Sequence, residues 1–136
     1  NSKKAGAKVS GGAITNMLSV ASLISFPPFG TYAASKAAAM SLTECLRFEL
    51  RDRGVEVFGV YAGFIDTDML GNVAADKTSP AEIARNAIDG MEAGTIDIDT
   101  DERSNLVRPG LRNDPAAVTA LSWERAVEFR KNHAAR

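Results

Sequence analysis

An apolar run, a long helical pattern and a second apolar run constrain this chain more than any other feature. Residues 13–18 read Ala-Ile-Thr-Asn-Met-Leu, which is typical of a buried strand. Apolar residues then recur at three- and four-residue spacing and predict a helix over about residues 31–53, with Gly54 as a left-handed stop. Residues 55–61 are rich in β-formers again. This order predicts two parallel strands joined by a right-handed crossover, and therefore an α/β fold.

Three side chains of complementary chemistry lie around the start of the predicted helix. Tyr32 and Lys36 are four residues apart, so both project from one face of the helix. Ser19 follows the first strand, and open parallel sheets bind ligands beyond the carboxyl ends of their strands. A phenol exchanges protons poorly at neutral pH until a neighbouring positive charge favours its ionised form, and Lys36 would supply that charge. We predict that Ser19 binds a reacting oxygen with which Tyr32 exchanges a proton.

Each of these residues also has a plainer interpretation. A tyrosine is often an amphipathic residue at the edge of a core, and a lysine one helical turn later is often solvated. A Tyr-x-x-x-Lys pair alone is therefore a weak signal. Its weight comes from the combination with a strand that ends in Asn-x-x-Ser, a loop that contains Pro-Pro and Gly, and a second strand.

This combination resembles the short-chain dehydrogenase/reductase family. In that family a serine stands thirteen residues before the tyrosine of Tyr-x-x-x-Lys, and Ser19 and Tyr32 have this separation. Residues 62–67, Ala-Gly-Phe-Ile-Asp-Thr, resemble a family segment that is usually Pro-Gly-x-x-x-Thr, with alanine in place of the proline. The resemblance covers about residues 12–99.

The resemblance implies a Rossmann-like, doubly wound parallel sheet. The chain would supply its carboxyl-terminal half, with about three strands flanked by helices. Residues 1–99 would form the catalytic half of the domain, and residues 100–136 a helical carboxyl-terminal tail of the same domain. The family's glycine-rich phosphate turn has no counterpart in the sequence, because Gly11 and Gly12 precede a strand instead of following one.

The resemblance also implies an NAD(P)-dependent oxidoreductase that interconverts a carbonyl and an alcohol of a small molecule. Tyr32 would be the general acid/base, Ser19 would position the substrate oxygen, and Lys36 would hold the nicotinamide ribose. Thr67, and Ile65 through its backbone, would contact the nicotinamide amide. The implied catalytic residues are Ser19, Tyr32 and Lys36, and the implied cofactor contacts are Tyr32, Lys36, Ala62, Gly63, Ile65 and Thr67. The preference between NAD and NADP stays open.

Two other functions stay open at this point. The chain could be a truncated, non-catalytic folding or assembly module, because a nucleotide-binding half has no counterpart and the first strand would expose an edge. It could also be an extended relative of the family such as a sugar epimerase, which the Thr67 segment and the short tail disfavour. Cofactor binding separates an oxidoreductase from an assembly module.

The apolar positions of the helix over residues 31–53 cover both of its sides, which is wider than one buried stripe requires. One side would pack on the sheet. Because the equivalent helix pairs across a two-fold axis in the resembled family, the other side would join a homodimer or homotetramer. The alternative is a helix that is simply well buried.

Composition argues against several other classes of protein. A net charge of −1 gives no basic surface for nucleic acid and no bias toward anionic membranes. The single cysteine, Cys45, cannot form an intrachain disulfide and fits a reducing compartment. No apolar run in the sequence approaches the ~20 residues of a membrane span. We expect a soluble, cytoplasmic protein.

The sequence after the second strand predicts a lid, a helix and one more strand. Residues 70–78 are small and polar and would form a mobile substrate lid. Ser79 and Pro80 begin a helix. Residues 95–99 alternate in polarity and predict an outer strand beside the second one. The predicted buried stripe of the helix comprises Ile83, Ala84, Ala87, Ile88 and Met91.

The end of the chain is acidic at first and then helical. Asp97, Asp99, Asp101 and Glu102 are not spaced as metal ligands, so we expect a solvated strand face and no metal site. Beyond them we expect a short helix broken at Pro109. A further helix would begin at Pro115, with the apolar residues Leu121, Trp123, Val127 and Phe129.

Overall fold

The computed structural model describes residues 11–63 and 77–133. The predicted cofactor contacts Ile65 and Thr67, and most of the predicted lid, lie outside these residues. Two single 3₁₀ turns, Val20–Ser22 and Pro27–Phe29, follow the first strand. The helices and strands are β1 (Ala13–Met17), α1 (Gly30–Leu50), β2 (Glu56–Tyr61), α2 (Pro80–Glu92), β3 (Asp97–Asp99), α3 (Glu102–Asn113) and α4 (Pro115–His133).

The three strands form one parallel sheet in the order β1-β2-β3. Ala13 lies opposite Glu56 in the first pair, and Gly59 lies opposite Asp97 in the second. The crossover between β1 and β2 contains α1, which ends through a 3₁₀ turn at Gly54, whose φ of 67° is left-handed. The predictions of an α/β fold with a parallel sheet, and of an outer strand beside β2, are confirmed.

The prediction that β1 is a buried strand is wrong. β1 lies at an edge of the sheet and pairs with β2 alone within the described residues. Four of its five residues are exposed, and Met17 is 49% exposed. β2, by contrast, has neighbours on both sides and is buried over residues 57–61. An apolar run predicts extended backbone, but the elements that cover a strand decide whether it is buried.

The core lies between β2, β3 and α2. Phe58 and Val60 from β2 meet Ala87 and Ile98, and Met91 packs against this cluster. Helix α2 begins as predicted, with the Ser79 side chain accepting the Glu82 N–H at 3.2 Å and Pro80 in the first turn. The predicted stripe of α2 is only partly right, since Ile83 and Ala87 are buried but Ala84 and Ile88 are exposed.

Polar side chains hold α1 against the sheet. Asn16 of β1 donates to the hydroxyl of the buried Thr43 at 2.9 Å. Arg47 donates to the carbonyl oxygens of Val57 and Ile96 at 2.9 and 2.7 Å. These bonds join α1 to both β2 and the approach to β3. Arg47 lies in the last turn of α1, and its guanidinium is directed at the sheet.

The outer side of α1 is open. Ala33 and Thr43 are its buried residues, whereas Leu42 and Cys45 are exposed and Phe48 is 66% exposed. The alternative that α1 is simply well buried is therefore wrong. A row of exposed apolar side chains on one helix face is a feature of interaction surfaces.

The acidic face of β3 is not simply solvated, which corrects the sequence interpretation. Asp97 forms an ion pair with Arg47 at 2.5 Å, and Asp99 accepts two bonds from Arg108 at 2.9 and 3.3 Å. The Arg108 guanidinium also lies 4.3 Å from the ring centroid of Tyr61. Burial alone would lower the pKa of Arg108, but the hydrogen bonds and charge of Asp99 raise it above its ordinary value.

Helix α3 runs through Pro109, so the predicted break is wrong. Its first turn is stabilised by a capping box of Asp101 and Ser104, which offsets part of the cost of a proline in the helix. The turn between α3 and α4 is tight, because a Cβ on Gly110 would lie 2.8 Å from Val118. α4 begins at Pro115, as predicted. No helix in the described ranges has the length and apolar character to cross a membrane.

Stability at alkaline pH should depend on Tyr61. Burial, followed by the negative charge of Asp97, raises the pKa of Tyr61 above its ordinary value of 10.0. An acid whose pKa is raised by folding ionises more readily when unfolded, so its contribution to stability is complete below about pH 10 and is lost above it. We expect Tyr61→Phe to remove this part of the decline in the free energy of unfolding, measured by urea denaturation from about pH 8 to pH 11. Equal slopes for the two proteins would contradict this.

Candidate active site

The carboxyl ends of β1 and β2 bring two functional segments side by side. The hydrogen-bond ladder continues past both strands, because the Leu18 N–H donates to Val60 O at 2.7 Å and the Val20 N–H donates to Ala62 O at 2.9 Å. Ser19 lies between these two donors. The predicted catalytic serine and the predicted cofactor residue Ala62 therefore leave the same edge of the sheet, as the parallel arrangement predicts.

Ser19 is fixed by a capping box on the first 3₁₀ turn. Its hydroxyl accepts the Ala21 N–H at 3.1 Å, and its own N–H donates to the Ser22 hydroxyl at 3.2 Å. The residue is 5% exposed. No group in the described ranges accepts the hydroxyl proton of Ser19. The oxygen is thus held in place while its proton is available to a ligand.

Tyr32 and Lys36 lie in the first two turns of α1, and the structure brings them together. The Lys36 Nζ is 5.7 Å from the ring centroid of Tyr32. The same nitrogen donates to the carbonyl oxygen of Met17 at 2.8 Å, so the ammonium is tied to the last residue of β1, two positions before Ser19. Tyr32 is 40% exposed.

Ser19 and Tyr32 are joined indirectly. Within residues 11–63 and 77–133 no hydrogen bond connects the two side chains, and the link between them runs through Lys36 and the end of β1. The helix α1 also packs on the 3₁₀ turn that Ser19 caps. The arrangement offers one hydroxyl donor, one phenol and one ammonium along the same edge of the sheet.

Asp101 is a residue of this region that the sequence analysis missed. Its Oδ2 accepts the Gly63 N–H at 2.5 Å and its Oδ1 accepts the Ser104 N–H at 2.8 Å. The residue is buried, so it is not the solvated acid that was expected. A Cβ on Gly63 would lie 3.1 Å from Asp101 and from Arg103, which shows how closely the segment approaches α3. The Asp-x-x-Ser spacing before a helix was the available signal.

Helix α4 covers the loop between Ser19 and Tyr32. We call residues 20–29 the connecting loop. Ser122 of α4 donates to the carbonyl oxygen of Ser25 at 2.8 Å. Phe26 and Phe29, whose rings stack at 5.7 Å, both meet the ring of Phe129. Of the four apolar residues noted in the sequence of this helix, Phe129 makes this contact, whereas Leu121, Trp123 and Val127 are exposed.

A parallel sheet with polar side chains at its carboxyl edge is typical of ligand-binding α/β folds, and comparison with known proteins identifies the family. The family model described as short chain dehydrogenase matches residues 4–78, more than half of the chain. The chain belongs to the short-chain dehydrogenase family. This confirms the resemblance drawn from the motifs.

Individual relatives agree with the family. The chain is 38% identical over 84 residues to a 3beta-hydroxysteroid dehydrogenase of Mediterraneibacter gnavus, a match that covers 61% of this chain and 30% of the relative. It is 41% identical over 69 residues to a 3-oxoacyl-[acyl-carrier-protein] reductase of Synechocystis sp., covering 51% of this chain and 28% of the relative. The chain thus matches less than a third of the length of these curated relatives.

A solved structure shares both fold and sequence. The chain resembles a short chain dehydrogenase from Burkholderia cenocepacia, crystallised in complex with NADP, with a TM-score of 0.78 and 34% identity. The superposition covers 82% of this chain and 47% of that protein. The Rossmann-like arrangement expected from the sequence is thereby confirmed.

Removal of the Asp101 charge should loosen the start of α3 and the Gly63 segment. In Asp101→Asn one of the two charge-assisted acceptors is lost, which we expect to lower the free energy of unfolding by about 1.5 to 3 kcal/mol. Glu102→Gln removes the same charge from an exposed neighbour and should cost less than about 1 kcal/mol. Urea denaturation of both variants checks this. Equal losses would show that Asp101 acts only through the helix dipole.

Proposed function

We propose that this chain carries the catalytic residues of an NAD(P)-dependent oxidoreductase that interconverts a carbonyl and an alcohol by hydride transfer. The observation that supports this most is the position of Lys36, whose Nζ lies 5.7 Å from the centre of the Tyr32 ring and is bonded to the end of β1 beside Ser19. Family membership supports the reaction class. The NADP in the Burkholderia cenocepacia structure supports a nicotinamide cofactor.

Each side chain has a distinct role in the proposed reaction. The cofactor, when bound, supplies or accepts the hydride. In the reductive direction Ser19 donates its hydroxyl proton as a hydrogen bond to the carbonyl oxygen. As a C–H bond forms at the carbonyl carbon and the C=O π bond breaks, Tyr32 transfers its phenolic proton to that oxygen. Solvent restores the proton, which the partial exposure of Tyr32 permits.

Lys36 has donors for more than one partner. One of its three N–H groups is used by Met17, and the others remain to hold the nicotinamide ribose. Its positive charge, which lies 5.7 Å from the centre of the Tyr32 ring, would stabilise the phenolate formed as the proton is transferred. The bond to Met17 fixes this charge, so little reorganisation is needed during the reaction.

The cofactor would run along the carboxyl edge of the sheet. Ala62 and Gly63 are proposed to line it, together with Ile65 and Thr67, which lie outside the described residues. Asp101 supports this path by fixing the Gly63 backbone. In this proposal residues 1–99 supply the catalytic half of the domain and residues 100–136 form its helical tail.

Tyr32→Phe should lower turnover about a hundredfold to ten-thousandfold in the natural full-length protein, because the phenolic proton is lost and the ring is kept. NADPH binding should persist. The matched control is Tyr61→Phe, which changes the other tyrosine of the sequence at a buried site in the sheet and should retain turnover. Steady-state kinetics with ketone substrates and NADPH or NADH measures this. Unchanged turnover in Tyr32→Phe would refute the proposed mechanism.

A non-catalytic assembly module is the second candidate, and the exposed edge strand β1 favours it. Titration of the chain with NADPH and with NADH, followed by cofactor fluorescence, separates the two candidates. Micromolar binding would exclude a role in assembly alone. The same titration determines the preference between the two cofactors.

We further propose a homodimer or homotetramer of this protein formed through α1. The exposed face of α1 presents Leu42, Cys45 and Phe48, and the inner face of the helix is already bound to the sheet. A self-complementary apolar helix face fits a two-fold interface, in which each copy presents the same surface.

Phe48→Asp should shift the natural full-length protein toward monomer, because a carboxylate would be buried in the apolar interface. Leu106→Asp is the matched control, since Leu106 on α3 and Phe48 are both 66% exposed. Light scattering coupled to size-exclusion chromatography measures the mass of each. Monomers in both variants, or in neither, would contradict an interface through α1.

A further inference from the structure

The side of α4 that packs on the rest of the protein does not include all of the apolar residues of the helix. Ser122, Ala126 and Phe129 are spaced four and three residues apart, so they share one side of the helix. Ser122 and Ala126 are buried, whereas Trp123 is 60% exposed. The contact surface of α4 is thus a stripe of a hydroxyl, a methyl group and an aromatic ring, which we call the α4 stripe.

The α4 stripe holds the connecting loop at two points. The buried Ser122 hydroxyl donates to the Ser25 carbonyl oxygen at 2.8 Å. The Phe129 ring meets Phe29 at 5.2 Å and Phe26 at 6.1 Å, both in edge-on geometry. Edge-to-face aromatic contacts at these separations are attractive and orient the rings.

Apart from the bond of Val20 to Ala62 at its start, the other backbone hydrogen bonds of the connecting loop within the described residues are local. Ile24 N–H donates to Val20 O at 3.1 Å, and Phe29 N–H donates to Phe26 O at 2.9 Å. Such bonds shape each turn but do not fix the middle of the loop relative to the sheet. Next to the stripe lies an open cleft of about 230 Å³ lined by Pro27, Trp123, Ala126, Val127 and Arg130. The Ser122 and Phe129 contacts are therefore specific attachments of the second half of the connecting loop.

The connecting loop lies between two of the proposed catalytic residues, Ser19 and Tyr32. Ser25 lies six residues after Ser19, and Phe29 lies three residues before Tyr32. A shift of Phe29, the N-cap of α1, or of the 3₁₀ turn that Ser19 caps would change the separation between the Ser19 hydroxyl and the Tyr32 phenol. Both groups must reach one substrate oxygen, and a displacement of about 1 Å can cost on the order of a hundredfold in rate.

We propose that Ser122 and Phe129 are positioning residues of the active site. They set the distance between Ser19 and Tyr32 by holding the connecting loop from outside. This inference rests on the proposed oxidoreductase function, but the attachment of the loop can be tested apart from it.

The first experiment compares Ser122→Ala with Thr119→Ala in the natural full-length protein. The Thr119 hydroxyl is exposed and donates to Pro115 O at 2.9 Å within its own helix, so its removal is a matched loss of a hydroxyl from α4. We expect Ser122→Ala to lower kcat about tenfold to a hundredfold with an unchanged KM for NADPH. Thr119→Ala should match the wild type.

Two changes at Phe129 give an independent measurement. Phe129→Leu keeps an apolar side chain but removes the ring contacts, and we expect it to lower kcat in the same way. Phe129→Tyr keeps the ring and should restore kcat to within about threefold of the wild type. If Phe129 had only a structural role, Phe129→Leu would lower the thermal midpoint of unfolding without lowering kcat at an unchanged KM.

Amide hydrogen exchange tests the attachment without any turnover. Peptides from residues 20–32 should exchange faster in Ser122→Ala and Phe129→Leu than in Thr119→Ala, because local opening exposes the amides of the 3₁₀ turns. Equal exchange in Ser122→Ala and Thr119→Ala would overturn the proposal. Faster exchange with unchanged kcat would also overturn it, while leaving the oxidoreductase function intact.

The two proposals fail in different ways. If Tyr32→Phe retains turnover, the oxidoreductase mechanism fails, and the positioning role falls with it. If Tyr32→Phe is inactive but Ser122→Ala and Phe129→Leu turn over as the wild type does, the positioning role alone is overturned.

Discussion

Two backbone hydrogen bonds near the carboxyl ends of the strands determine where the candidate catalytic residues lie. Leu18 bonds to Val60 and Val20 bonds to Ala62, so the ladder between β1 and β2 continues into the loops that follow them. Because the strands are parallel, both loops leave the same edge. Ser19 and the Ala62-Gly63 segment are adjacent for this reason, and α1 begins at the same edge with Tyr32 and Lys36.

Polar side chains attach α1 and α4 to the rest of the fold. Lys36, Arg47 and Ser122 each donate to a backbone carbonyl of another element. Such bonds fix direction as well as contact, because a donor and an acceptor must align. In α1 these bonds come from the inner face of the helix, and the apolar side chains of its outer face remain exposed.

Features that depend on neighbouring residues were predicted well from the sequence, whereas features that depend on distant residues were not. The caps at Ser79 and Gly54 and the spacing of Tyr32 and Lys36 depend on neighbours a few residues away, so the pattern reveals them. The environment of Asp97 could not be predicted in this way, because its partner Arg47 lies 50 residues earlier. The exposure of β1 and the contacts of α4 likewise depend on elements that are distant in the sequence. The roles of Ser19, Tyr32 and Lys36 stay predictions.

The bond between Ser122 and Ser25 spans 97 residues of chain, and this has a consequence for biosynthesis. A ribosome adds about 5 to 20 residues each second, so the partner of Ser25 is made roughly 5 to 20 s after Ser25 itself. During that interval α1 can already form from local interactions. The segment between β1 and α1 acquires its final shape only after α4 has left the ribosomal exit tunnel, so the attachment of Ser25 forms later than α1 itself.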